Sequence, residues 1–304
     1  MPFTSEYMNS KDVTHILEGN QDGSLLDRVL FLAKETCPAI DLDMIRELHG
    51  DLVSFFTGSC PEFQKNTLPY HNLRHSQMVV LASARLFHGL HCKQIRISPE
   101  TLFKGLLAAY FHDTGMLLLE GDPASGTDYI AGHEARSILF LDKYVSRKGF
   151  GKTFSKDCAT IINYTDLASD PATFDYHTHE IQLAGQVIGS ADILAQMADR
   201  YYLELLPLLF NEQQNGGINR HNSARELMEH TEKFYYDVVL KRLASTFSNI
   251  SQVMQIHFLE IYNIDRNLYL EYIDNNLKYL KKIISQCDDI NCLEQHLKRN
   301  PPTT

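Results

Sequence analysis

The chain places a histidine and an aspartate side by side at the end of an apolar run, Tyr110-Phe111-His112-Asp113-Thr114-Gly115. An aspartate among apolar residues is costly to bury without a partner, and either a capping role or a bound cation would supply one. Adjacent residues on a helix point about 100° apart, so this pair can converge on one ion only at a helix end. A second group, Tyr70-His71-Asn72-Leu73-Arg74-His75, sets two histidines four apart on one helical face. That spacing can put one ring on a metal and the other nearer a reacting group. A third, Gly189-Ser190-Ala191-Asp192, continues a stripe with Gly185 and Gln196 and turns a carboxylate inward, where a cation or an arginine would offset its burial. Asp199, further along, is the better salt-bridge candidate. His75, His112, Asp113 and Asp192 together form a mixed nitrogen–oxygen set that suits zinc, manganese or iron, and a neighbouring oxygen-rich site would suit magnesium or manganese.

Helices must position these groups. Ser98 is a good N-cap, Pro99 fits a first turn, and Leu102, Phe103, Leu106, Leu107 and Tyr110 recur at three- and four-residue steps, with Gly115 as a stop. A long amphipathic helix is expected from residue 71 to about 91, preceded by two helical patterns within 25–56 and a loop over 58–69. Further helices are expected over 128–145, 156–167, 179–210 (disturbed near its end by Pro207), 219–245, and twice within 252–287. Strand alternation is absent, so the chain reads as all-α. The expected organisation is a helical N-terminal extension over 1–65, a compact multi-helix domain over 66–290 and a tail over 291–304.

The chain has 304 residues, 44% of them hydrophobic, enough to bury a large core. A formal net charge of -10 without a basic block argues against nucleic-acid polymers and anionic membranes as partners. No stretch approaches a membrane span and no signal peptide is evident. The six cysteines lack a C-x-x-C pair, which suits free thiols in a reducing cytosol and argues against zinc ligation, so a cytoplasmic location is expected.

The order His75, His112-Asp113, Asp192 resembles the HD-domain metal phosphohydrolases. The stretch Tyr70-His71-Asn72-x-x-His75 is similar more specifically to the catalytic domain of class I 3′,5′-cyclic nucleotide phosphodiesterases. Asn163-Tyr164-Thr165-Asp166, Ala191-Asp192 and Gln255-Ile256-His257-Phe258 agree with further segments of that family, and the resemblance covers roughly residues 69–262. It implies two divalent ions, the first Zn, Fe or Mn and the second Mg or Mn. His75, His112, Asp113 and Asp192 would be ligands, and Asp113 would bridge the two ions. The implied reaction is hydrolysis of cyclic AMP or cyclic GMP to the 5′-monophosphate by a water activated between the ions, with His71 as general acid. Tyr70 and Asn72 would sit at the substrate. Gln255 and Phe258, three apart on a helix, share a face and could bind and stack a base.

Two departures from the family pattern stand out. Asp113-Thr114-Gly115-Met116 replaces the family's Asp-x-Asp-His-x-Gly, and the family's glutamate just before its His-His pair has no clear equivalent, His133-Glu134 occupying that region with Asp128 the nearest upstream acid. His133 is therefore either a site residue or a bond to the backbone or Asp166. The alternatives are an HD-type nucleotide phosphomonoesterase or (deoxy)nucleoside triphosphate hydrolase, and a non-catalytic HD nucleotide-sensing module.

Overall fold

The computed structural model describes residues 15–18, 24–122, 125–218 and 220–301. In chain order its helices are α1 Leu25–Thr36, α2 Leu42–Thr57, α3 Leu73–Cys92, α4 Pro99–Phe111, α5 His133–Arg147, α6 Lys152–Ile162, α7 His179–Met197, α8 Tyr202–Asn215, α9 Ala224–Phe234, α10 Val253–Tyr262, α11 Leu268–Ile284 and α12 Ile290–His296. The fold is all-α, as the missing strand alternation predicts. Among the described residues β pairing is limited to one isolated bridge, Phe63 to Leu119.

Helix α3 is the hub. Its side chains from Met78 to Leu90 are all buried, Ser83, Arg85 and His88 included, so the helix expected to be amphipathic is enclosed on every face over this stretch. It packs against α1, α4, α7 and α10. Asn72 caps its start by accepting the His75 N–H at 3.1 Å, so the helix begins two residues after the expected His71. Ser98 and Pro99 open α4 as the sequence predicts. Along α7, Gly185 and Gly189 admit the Tyr164 ring and backbone: a Cβ on Gly185 would lie 2.3 Å from that ring.

The described residues of the 1–65 segment, 15–18 and 24–65, pack into the same core rather than beside it. Apolar contacts run unbroken from Ile16 to Leu293, with α1 against α3 and α2 against α4. Arg85, fully buried on α3, donates to the carbonyls of Ile16 and Leu17 and to the Tyr269 hydroxyl, so the first described turn is tied to the centre of the molecule.

Three expectations are corrected. The helix over 179–210 is two helices, α7 and α8. The chain turns at Ala198–Tyr201 because Asp199 pairs with Arg74 and accepts the Tyr201 N–H, whereas Pro207 is tolerated inside α8. The helix over 219–245 starts at Ala224 and passes into π-helical turns at Tyr235–Val239 and Arg242–Thr246. Cys287 and Cys292 form a disulfide, leaving Cys37, Cys60, Cys92 and Cys158 as free thiols. Among the described residues no helix is long and apolar enough to cross a membrane.

Candidate metal centre

Three helix ends and one helix middle meet at a single point. α4 stops at Phe111, so His112 caps it and Asp113 leaves the helix into the tight turn Thr114–Met116. This break lets adjacent side chains converge. His75 comes from the first turn of α3, Asp192 from the middle of α7 and His133 from the first residue of α5.

The ligand atoms form a compact set. His75 Nε2 lies 3.4 Å from Asp113 Oδ2, 3.2 Å from Asp192 Oδ1 and 3.3 Å from His112 Nε2. His112 Nε2 lies 3.3 Å from Asp113 Oδ2 and 3.7 Å from Asp192 Oδ1. Ligands about 2.1 Å from a common ion in tetrahedral array stand roughly 3.4 Å apart, and the five edges that include a histidine lie close to that value. Asp113 Oδ2 is buried and makes no hydrogen bond. His112 Nδ1 donates to the Ala109 carbonyl at 2.8 Å, so in the neutral ring Nε2 presents a lone pair to the carboxylates. Lone pairs converging at these distances call for a cation or protons between them, and the donor set fits a divalent ion.

Without an ion, protons take that place. Burial disfavours the His112 imidazolium, but Asp113 and Asp192 outweigh burial and lift it to about 9. Burial likewise opposes the charged His133 ring, which Asp113 and Glu134 raise to about 9. Burial pushes the Asp113 carboxyl up, yet His112 and His133 hold it well below the usual carboxylate range. The centre is therefore built to neutralise carboxylates with positive charge.

His133 belongs to the site. Its Nδ1 bonds the Ile130 carbonyl at 2.9 Å and its Nε2 lies 3.3 Å from Asp113 Oδ1, the face of the carboxylate away from His75. Gly115 is what brings it there. The expected helix stop is a point of close approach, where a Cβ would lie 2.0 Å from the His133 carbonyl oxygen. Ser137 locks the junction, donating to the His112 carbonyl at 2.6 Å and accepting the Gly115 N–H at 2.7 Å.

His71 stands beside the set, its ring centre 5.9 Å from that of His133. Its Nδ1 meets Glu212 Oε2 at 2.6 Å, and Glu212 Oε1 accepts the Tyr70 N–H at 2.7 Å. Glu212, buried on α8, is the main residue that sequence reasoning missed. Tyr70 lines the cleft, but its hydroxyl takes the Gln196 amide and its ring stacks on His75, so it braces the two histidines. Asn72, expected at the substrate, is committed elsewhere: it caps α3 and donates to the Pro69 carbonyl at 2.8 Å.

Gln255 and Phe258 are not brought to the site. Phe258 is fully buried on α10, among Tyr262, Tyr269 and the Arg85 guanidinium, and Gln255 faces solvent and donates to Asp265 at 2.8 Å. They share a helical face only loosely and neither lines the cleft, so the base-binding expectation for them is withdrawn. The cleft above the centre has a volume of ≈570 Å³. Thr165, Asp166 and Glu134 edge it near the histidines, and Ile193, Met197, Leu206, Leu209 and Leu227 form an apolar wall with Gln213 and Arg220 beyond. Comparison with models of known protein families and with curated protein sequences returned no match.

Proposed function

We propose that the chain is a metal-dependent phosphohydrolase of the HD type, acting on a nucleotide-sized phosphate ester, with 3′,5′-cyclic nucleotides as the first substrates to test. One observation carries this reading: His75 Nε2 and His112 Nε2 lie 3.3 Å apart and each is 3.2–3.7 Å from Asp113 Oδ2 and Asp192 Oδ1, the first of these an unsatisfied buried carboxylate oxygen, on the wall of a ≈570 Å³ cleft. A divalent ion held by His75, His112, Asp113 and Asp192, with a second beside Asp113 Oδ1 and His133, would neutralise phosphoryl charge and acidify water in the cleft.

The chain's own residues supply the rest. Glu212 holds His71 by Nδ1, which leaves Nε2 to carry a proton to a departing oxygen. Tyr70 and Gln196 keep His71 and His75 in register. The apolar wall of Ile193, Met197, Leu206, Leu209 and Leu227 takes the body of the ester and excludes water from it.

A second reading, a nucleotide phosphomonoesterase or (deoxy)nucleoside triphosphate hydrolase, is favoured by the absence of Gln255 and Phe258 from the cleft and by Arg220 on its wall, where it can meet a further phosphate. Hydrolysis of cyclic AMP, cyclic GMP, nucleoside 5′-monophosphates and triphosphates with Mg²⁺ or Mn²⁺ separates the two. Release of 5′-monophosphate from a cyclic substrate, abolished by a chelator, supports the first reading. Orthophosphate or tripolyphosphate release alone moves the assignment to the second. Stoichiometric metal with no turnover of any of these sinks both and leaves a nucleotide-sensing module.

A further inference from the structure

Near the end of the chain the fold assembles a second, softer donor set. Cys287 follows α11, Cys292 lies in the first turn of α12 and His296 ends that helix. The two sulfurs are joined as a disulfide, and a ring nitrogen of His296 lies within 4.8 Å of them. The corner is braced from several sides. Asp289 accepts the Cys292 N–H at 2.8 Å, Tyr279 donates to the His296 carbonyl at 3.1 Å, and Arg225 donates to the Cys287 carbonyl at 2.8 Å. Leu293, fully buried between the cysteine and the histidine, fixes α12 on the core.

A disulfide needs no imidazole beside it. We propose that in the reduced protein Cys287, Cys292 and His296 bind a zinc-class ion, and that the ion-bound and disulfide states exclude each other. The spacing is C-x4-C-x3-H, two thiolates and an imidazole, a donor set that selects Zn²⁺ over hard cations. The cysteine Cα atoms are 5.4 Å apart. Two thiolates sharing one zinc stand about 3.8 Å apart, a separation that side-chain rotation alone can reach from this backbone. Three protein donors leave one position for water.

The chemistry balances with ordinary reagents. Two small thiols reduce the disulfide, giving two cysteine thiols and one small disulfide, and Zn²⁺ then displaces the two thiol protons to solvent. A hydroperoxide reverses the state: it accepts two electrons from the thiolates and two protons, leaves as alcohol and water, and the sulfurs rejoin as the ion departs. This site is separate from the cleft set and does not depend on the proposed activity.

Co²⁺ is the discriminating probe, because thiolate ligation produces a ligand-to-metal charge-transfer band that the nitrogen–oxygen set of the cleft does not. The full chain is reduced with a phosphine, the gain of two titratable thiols is verified, and Co²⁺ is added anaerobically and then displaced with Zn²⁺. The expected result is one Co²⁺ with a thiolate band in the reduced wild type and none in the disulfide form or in C292S. H296A should weaken binding by at least about tenfold. Circular dichroism and metal in the cleft should be unchanged in both variants. Any of four results overturns the proposal: no band in the reduced chain, a band that survives C292S, affinity unaffected by H296A, or a disulfide that resists the phosphine in the folded protein.

Discussion

Helix α3 carries two histidines that each face a partner ring across a helix junction, and in both pairs the ring nitrogens are 3.3 Å apart. At its start His75 meets His112, and near its end His88 meets His257. All four side chains are largely shielded from solvent. Their ionisation differs because their neighbours differ. Asp113 and Asp192 surround the first pair, and they raise His112 to about 9 against the effect of burial. Around the second pair burial dominates: it pushes His257 well below its ordinary value, reinforced by the Arg85 guanidinium and His88, and it lowers His88 although Glu35 and Glu260 pull the other way. Two imidazoles at contact distance are therefore not a metal site in themselves. Carboxylates at the same point make one pair a place for positive charge, and their absence makes the other a neutral core contact.

The comparison breaks most directly at Asp113. Asp113→Asn keeps the shape of the side chain and removes the charge. It should reduce bound divalent metal, measured by elemental analysis, from stoichiometric to background, and lower turnover on the order of a thousandfold. Full metal occupancy in this variant would mean that the carboxylates do not distinguish the two pairs. The next largest effect is expected at Glu212, which orients His71 without touching the four-ligand set. Glu212→Gln should lower kcat by roughly a hundredfold with metal content retained. Loss of metal instead would move His71 into the ligand set.

Gly115→Ala tests the junction that adds His133 to the first pair. The new methyl would collide with backbone rather than a mobile side chain, and α5 must shift to admit it. Unfolding in denaturant should show a loss of about 2 kcal/mol, together with reduced activity. Unchanged stability and activity would mean that this contact relaxes without moving His133.

Glycine and histidine show how much of the site was legible in the sequence. The adjacent His112 and Asp113 could be read as a convergent pair because helix geometry permits convergence only at an end, and α4 does end there. His75 and Asp192 followed from spacing and from a stripe of small residues. Gly115 was legible only as a helix stop, since its contact with His133 is a tertiary event. Glu212 was invisible because its partner lies 141 residues away and an acidic residue on an amphipathic helix ordinarily faces water. Gln255 and Phe258 misled for the converse reason. Three-residue spacing puts two side chains on neighbouring parts of a helix, but α10 is apolar on most faces and gives no sign of which one meets the core. Local propensity makes 179–210 one helix disturbed only near its end by Pro207, whereas the Arg74–Asp199 pair divides it into α7 and α8. The disulfide carries no C-x-x-C signature because four intervening residues, rather than two, separate its cysteines.

The smallest effect separates the pairs by pH alone. His257 is neutral in the folded chain and its folded value lies below the unfolded one, so unfolding takes up a proton once the pH falls below about 6.5. The stability tied to this residue is present above that pH and is lost as the pH drops, at up to about 1.4 kcal/mol per pH unit. His112 and His133 have the opposite sign in the metal-free protein. Their folded values are raised, so their contribution is complete below about 6.5 and is lost as the pH rises through about 9. Denaturant unfolding of the chelated protein across this range should thus show an acid limb and an alkaline limb. His257→Leu should flatten the acid limb and spare the alkaline one, and saturating divalent metal should flatten the alkaline limb and spare the acid one. An acid limb that persists in His257→Leu would place the titrating group elsewhere, His88 being the next to replace, and an alkaline limb indifferent to metal would mean that protons and cation do not share the Asp113 site.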